Sequence, residues 1–313
     1  MTTSTNNNTT QPRIDVYARV TAKIIADLEQ GVRTWQRPWN AANATGNIIR
    51  PLRATGQPYR GVNVLLLWSE ALDKGYTAPV WMTYKQATTL GAQVRKGEHG
   101  SLVVYADSFT KTETDDQGKE ADRKIAFMKG YTVFNAEQCE GLPAQYYARP
   151  EAPALPLPAR IDAADTFFAA TRADIRHGGT RAYYAQGSDH VQMPPFETFE
   201  DAESYAATLA HELTHWTKHP ARLDRDMGRV KWGDVGYAKE ELVAELGAAF
   251  LCADLGITPD VRPDHAAYIG SWLEALKGDK RFIFTAAAHA QRAADYLHGL
   301  QQPQQIEEER AAA

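Results

Sequence analysis

Cysteine is scarce. Cys139 and Cys252 are the two thiols in 313 residues, which excludes a disulfide framework and a thiolate zinc cluster. No run of 18 apolar residues occurs, so a transmembrane helix is not expected. Met1–Gln11 lacks both the charged start and the apolar stretch of a secretory signal and reads as a polar tail. The expected compartment is the cytoplasm, with no membrane partner. Acidic residues are missing from one long stretch: none falls between Gln30 and Ser69, a segment that holds Arg33, Arg37, Arg50, Arg53 and Arg60.

What is present is the composition of an ordinary globular protein, 43% hydrophobic and 23% charged, with length enough for two domains. The net charge of −5 is unevenly divided. Residues 1–150 carry 18 Lys+Arg against 14 Asp+Glu, and residues 151–313 carry 16 against 25. Opposite signs in the two halves point to two tasks. The stretch RPEAPALPLPAR, with four prolines between Arg149 and Arg160, is stiff and poor in backbone donors, as a linker would be. The expected organisation is a tail at 1–11, a domain at 12–149, a linker at 150–160, a second domain at 161–300 and a tail at 301–313.

The fold class is α+β. In the first domain, helices are expected over Asp15–Gln30, from Asn63 to Gly75, and over 83–91 with Thr83 as N-cap. Strand-like runs follow from Val94 to Phe134, interrupted by KTETDDQGKEADRK (111–124), which reads as a long mobile hairpin tip. The second domain is mainly helical, at about 200–218, 238–255, 264–276 and 280–298, with one β-hairpin at 181–194 whose turn is Gly187-Ser188-Asp189.

The sharpest motif is HELTH at 211–215. On a helix His211 and His215 lie one turn apart on one face, so both imidazoles can reach one ion, with Glu212 beside them as a proton acceptor. Tyr205, Leu209, Leu213 and Trp216 form a neighbouring core stripe, so apolar and ligating faces are separate. A catalytic zinc site needs a third protein ligand. In KEELVAELGAAFLCADLG, Glu241 and Glu245 share a face. Glu241 is the expected ligand and Glu245 the carboxylate orienting a ligand imidazole, whereas Glu240 is expected to be solvated. His219, Asp224 and Asp226 are the alternative ligands. Lys218 and Ala221 stand where the metzincin extension requires Gly and His, which excludes that class. Two histidines and a carboxylate suit Zn²⁺ best and also accept Mn²⁺. Tyr237 and His265 are the nominees for polarising a carbonyl.

Between Gly31 and Trp68 the five arginines alternate with Trp35, Trp39 and Tyr59, and the mixture recurs at Trp81, Tyr84, Lys85, Arg95, Lys96, Lys129 and Tyr131. Cationic grooves with aromatic faces bind single-stranded nucleic acid. The competing reading makes the tryptophans core residues and the arginines a solvated face; composition leaves both open.

The strings RPWN, TGQPYRGVNVLLLW, WMTYKQATTLGAQVRKGEHG, KGYTVFNAEQCEGLP, HELTHW and YAKEELVAELGAAFL together resemble the ArdC-type antirestriction proteins of conjugative plasmids. The N-terminal half is also similar to the amino-terminal region of TraC-type conjugative DNA primases. The resemblance spans about residues 12–300. It implies an N-terminal domain binding single-stranded DNA and a C-terminal zincin-like metallopeptidase domain, in proteins that protect incoming plasmid DNA from host restriction. Carried onto matching positions, it implies His211, His215 and Glu241 as metal ligands and Glu212 as the catalytic carboxylate, with a host protein as the peptidase substrate. Two other readings stand beside this one: a DNA-binding protein whose metal only ties helices together, and a regulatory metalloprotease whose N-terminal domain binds a protein partner.

Overall fold

Capping chemistry sets the first element. The Asp15 carboxylate accepts from the Tyr17 backbone N–H and opens α1 (Val16–Glu29), and Gly31, at φ +74°, carries the chain out of it. A computed structural model describes residues 15–33, 35, 49–114, 120–148, 157–227, 235–257 and 268–301. After β1 (Leu52–Arg53) come α2 (Val62–Lys74), β2 (Val80–Met82) and α3 (Tyr84–Thr89). Thr83 and Gln86 form a reciprocal capping box at the start of α3.

The strands β3 (Gln93–Val94), β4 (Ser101–Thr114), β5 (Glu120–Asn135) and β6 (Cys139–Glu140) follow. One sheet has the order β1-β2-β5-β4, and β3 pairs with β6 separately. The long antiparallel hairpin runs from Ser101↔Val133 to Thr114↔Glu120. This corrects the expectation of a mobile tip over 111–124: Lys111↔Arg123 and Thr112↔Asp122 are ladder partners. Threonine at every second position favours extended backbone, and that local preference outweighs the polarity of the run. Residues 115–119 lie outside the described residues.

After α4 (Ala144–Tyr147), α5 (Leu157–Ala170) begins inside the expected linker. Pro158 falls in the first turn of α5, where a missing N–H costs nothing; residues 149–156 lie outside the described residues. The expected hairpin is present as β8 (Tyr183–Ala185) and β9 (His190–Met193), but β9 also pairs in parallel with β7 (Asp174–His177), a strand the sequence reading missed. The helices α6 (Ala202–Trp216), α7 (Val235–Leu255), α8 (Ile269–Gly278) and α9 (Phe282–Gly299) complete the second half. Among the described residues no helix is long and apolar enough to cross a membrane.

One apolar core runs through both halves. It includes Val20, Ile24, Trp35 and Trp68 from the first and Phe250, Trp272, Ile283 and Leu297 from the second. α1 packs on α8, and α2 on α9. A smaller core, built from Val80, Met82, Val94, Leu142 and neighbouring alanines, lies wholly within the first half.

Candidate metal centre

The Asp201 carboxylate accepts from the Ser204 backbone N–H at 2.7 Å and fixes the start of α6. From Ser204 to Trp216 every residue of this helix is buried. Leu209 and Leu213 point into the core, while His211 and His215 stand with ring centroids 4.8 Å apart. Glu241 on α7 reaches both: Oε2 lies 3.5 Å from His211 Nε2, and Oε1 lies 3.4 Å from His215 Nε2. Donor atoms about 2.0–2.1 Å from one tetrahedral ion are separated from each other by about 3.3 Å. The two Nε2–carboxylate distances match that spacing, so the donor set fits a divalent ion. Among the described residues, His211, His215 and Glu241 are the one trio of ligand atoms close enough to share one. His219 has another task, since its Nδ1 accepts from the Ala221 N–H in the turn after α6.

Behind the ligands lies a charged relay. His215 Nδ1 is 3.1 Å from Glu240 Oε1, and Arg225 donates to both oxygens of Glu240, Nε to Oε2 at 2.9 Å and Nη2 to Oε1 at 2.7 Å. Arg225 is itself anchored, donating to the Thr217 hydroxyl and the Thr214 carbonyl. This corrects the sequence reading on Glu240, which is 2% exposed rather than solvated, and which occupies on His215 the place foreseen for Glu245. Glu245 is buried farther along α7. The cause is that α7 is enclosed on all sides from Glu240 to Ala253, so no face was left for a solvated carboxylate.

Burial sets the charges here. It pushes His211 below its ordinary value. It would do the same to His215, but the Glu241 and Glu240 carboxylates outweigh it and raise that imidazole to about 9. Burial opposes ionisation of Glu240 as well, yet Arg225 and His215 bring it down to about 2. Glu241 is held well below the usual carboxylate range by His215 and His211. The site therefore presents an ionised carboxylate between two imidazole nitrogens, with a second ionised carboxylate fixing one ring's orientation. Tyr237 stands nearby, its hydroxyl accepting from Tyr268 at 3.4 Å; His265 lies outside the described residues.

The structure separates the expected DNA-binding residues into two groups. Trp35 and Trp81 are each 1% exposed and belong to the core, as does Trp68. Trp35 packs edge-on against Trp272, and Tyr59 is 8% exposed. These aromatics have no free face, so the core reading holds for Trp35, Trp68 and Trp81. Arg50 is buried too. It donates to Asp254 and Gln291 at 2.8 Å each and lies over the Phe250 ring. Arg33 is half-buried, and Arg60 pairs with Asp295. Arg53, Lys85, Arg95, Lys96 and Lys129 are on the surface. Arg37 and Trp39 lie outside the described residues.

Residues 14–134 match the family described as the N-terminal domain of anti-restriction factor ArdC, and residues 162–289 match the zincin-like metallopeptidase family. The crystal structure of the antirestriction protein ArdC from plasmid R388, in its metal-free form, aligns with a TM-score of 0.76 at 50% identity, covering 91% of this chain and 97% of that one. The chain belongs to the ArdC family. The Mn(II)-bound form of the same ArdC aligns with a TM-score of 0.74 at 48% identity, over 91% of this chain and 98% of that one. An uncharacterised protein of Sinorhizobium fredii, y4eC, is 46% identical over 99% of this chain and 100% of its own length. A DNA primase TraC of Escherichia coli is 39% identical over 92% of this chain, which spans only 27% of that primase. This is therefore an ArdC-family antirestriction protein with a zincin-like domain and a divalent-metal centre.

In this ArdC-family chain two exposed tyrosines stand together on the hairpin. Tyr105 and Tyr131, 49% and 45% exposed, meet edge to face on one side of the hairpin, with Phe127 against Tyr105 and the Lys129 ammonium 5.2 Å from the Phe127 ring. Tyr105 and Phe127 were passed over because nothing in the sequence marks them as basic. The period-two pattern of a strand, which sends Tyr105, Phe127, Lys129 and Tyr131 to one face, was the available signal.

Close helix approach also shapes the centre. A Cβ on Gly247 of α7 would sit 2.5 Å from Thr214 Cγ2 and 2.7 Å from its hydroxyl oxygen on α6. Gly247→Ala is expected to force the two ligand-bearing helices apart and lower stability by about 1–3 kcal/mol, despite the better helix propensity of alanine. Thermal unfolding and the bound-metal stoichiometry of the variant check this.

Proposed function

We propose that this chain binds single-stranded DNA and protects incoming plasmid DNA from host restriction during conjugation, acting in the cytoplasm. We also propose that its metal centre is a peptidase acting on a host protein. The observation that carries the DNA reading is the cluster of exposed Tyr105, Lys129 and Tyr131 about the half-buried Phe127. Unpaired bases stack on aromatic faces while a neighbouring cation meets the phosphates, an arrangement a duplex with its bases already stacked does not use. Lys85 and Lys96 add exposed positive charge in the same half. The relatives titled antirestriction ArdC and DNA primase TraC support the same reading.

For the peptidase, His211 and His215 through Nε2 and the Glu241 carboxylate would hold the ion. Zinc suits the donor set best, and manganese is the ion in the R388 structure. Once bound, such an ion polarises a peptide carbonyl and acidifies water. Glu212 then takes the proton of the attacking water and returns it to the departing amine. Glu240, clamped by Arg225, keeps the His215 ring in its ligating orientation. The alternative, a metal that only ties α6 to α7, draws on the burial of α6 along nearly its whole length.

The test of the DNA reading is fluorescence anisotropy of labelled oligothymidine and of a duplex against the full chain. The single strand should bind more tightly, and Tyr105→Ala with Tyr131→Ala should weaken it by at least about tenfold, since each base stack contributes about 1–3 kcal/mol. Equal binding of strand and duplex, or an unaltered double variant, overturns the reading.

A further inference from the structure

The two strands of the hairpin have a second face, and it looks onto the other half of the molecule. Val104, Ala106 and Met128 line one wall of a groove of about 480 Å³ whose opposite wall is α9. On α9 the residues turned to the groove are Phe284, Thr285, Ala288 and Arg292, with Arg281 at the N-cap, a spacing that places them on one helical stripe. The other side of α9, from Ala286 through Ala290 to Leu297, is buried in the shared core. Gly61 and Asn63 form the floor. Both walls are fixed: the Asn63 side chain exchanges hydrogen bonds with the Val104 backbone at 2.7 and 2.8 Å, and Gln291 of α9 accepts from the Gly61 N–H and from Arg50.

The charge in this groove is of one sign. Arg60, Arg281 and Arg292 line it and no carboxylate does. Arg60 is paired with Asp295, but Arg281 and Arg292 have no ion-pair partner among the described residues. Arg281 lies over the ring of Tyr17, which meets Phe284 edge to face at 4.8 Å. Arg292 donates to His289 Nδ1. Burial and the nearby guanidinium groups push that imidazole down to about 4, so it is neutral near pH 7 and accepts from Arg292. Two guanidinium groups without an ion-pair contact, Arg281 within electrostatic reach of Asp15, are therefore held about an apolar slot with two half-buried aromatic rings.

We infer that this groove between the hairpin and α9 is a second track for single-stranded nucleic acid, so that the metallopeptidase half contributes phosphate contacts of its own. The inference rests on the DNA-binding reading above. An unpaired strand fits because its backbone meets cations while its bases lie on apolar and aromatic surface. A duplex does not, because its bases are already stacked on one another and offer no free face to the apolar and aromatic wall.

The experiment uses the full chain, fluorescein-labelled oligothymidine and a series of salt concentrations. Arg281→Gln with Arg292→Gln is expected to lower affinity about tenfold at low salt and to reduce the slope of log K against log salt by about 1.4, the value for two phosphate contacts on a single strand. Ala288→Trp, which fills the groove and leaves its charges in place, should weaken binding while preserving the slope. If both variants bind as the parent does, with unchanged thermal unfolding, the groove is not a track. A loss confined to Tyr105→Ala with Tyr131→Ala overturns the groove and leaves the DNA reading standing. A parent chain that binds no single strand overturns both.

Discussion

Glu212→Gln should retain the metal and lose peptide hydrolysis, by a factor of about 10²–10⁴. The two halves of that expectation have separate causes. The ligand atoms belong to His211, His215 and Glu241, so an amide at residue 212 leaves the donor set intact. Glutamine matches the size of glutamate in a site where residue 212 is 3% exposed, so packing is kept. What disappears is the carboxylate that can take up a proton, which an amide cannot replace. Metal content by elemental analysis, cleavage of a denatured-protein substrate and single-strand anisotropy should be measured on the same sample. Loss of cleavage with metal and DNA binding unchanged fits the peptidase reading. Unchanged cleavage places the chemistry elsewhere. A parent with no cleavage at all, and a variant that still protects DNA in conjugation, would establish the metal as a tie between α6 and α7.

Removal of the supporting carboxylate should look different. Glu240→Ala withdraws the partner of His215 Nδ1 and leaves the buried Arg225 uncompensated. Such supporting groups typically account for 10–100-fold in metal affinity, so this change should release metal where Glu212→Gln does not.

Much of the centre could be read from the sequence because it depends on short-range geometry. The pair His211 and His215 is fixed by the helix period, and Glu241 by the face it shares with Glu245 on the next helical segment. The role of Glu240 could not be read in that way. Its partner Arg225 sits in the irregular chain after α6, where no period relates residues, and the enclosure of α7 is a property of the assembled core. The acid-free stretch hides pairing for a related reason: two of its arginines are balanced in space by residues some two hundred positions away, Arg50 by Asp254 and Arg60 by Asp295. Trp35, Trp68 and Trp81 followed the general preference of tryptophan for burial, and the exposed pair Tyr105 and Tyr131 lies on a ribbon whose outer face only the strand period could reveal. The α+β class, the capped N-terminal helices and the four late helices were legible because each is announced by local chemistry.

Cutting the chain in the proline-rich stretch should unfold the N-terminal half, although the prolines invite the cut. The larger core does not stop at that boundary. Trp35 is shielded by Trp272, and Trp68 lies against Phe250 at a centroid distance of 6.0 Å. α1 rests on α8, so Val20, Ile24 and Leu28 would face water in a separated fragment. Truncating one buried tryptophan to alanine costs about 3–5 kcal/mol, against a whole-domain stability of about 5–15 kcal/mol. Baring two indoles and a helix face therefore consumes most of that margin, and the small alanine-rich core around Met82 is too slight to replace it. Arg50 adds a further reason. In the intact chain Arg50→Ala empties the space over Phe250 and takes one donor from buried Gln291, while Asp254, near the surface, keeps His298 at 2.9 Å. A fragment of residues 15–148 should accordingly show no cooperative thermal transition, and its tryptophan emission should be shifted toward that of water-exposed indole. A fragment with a sharp transition and blue-shifted emission would mean that the halves are independent domains and that Trp35 and Arg50 serve only their association.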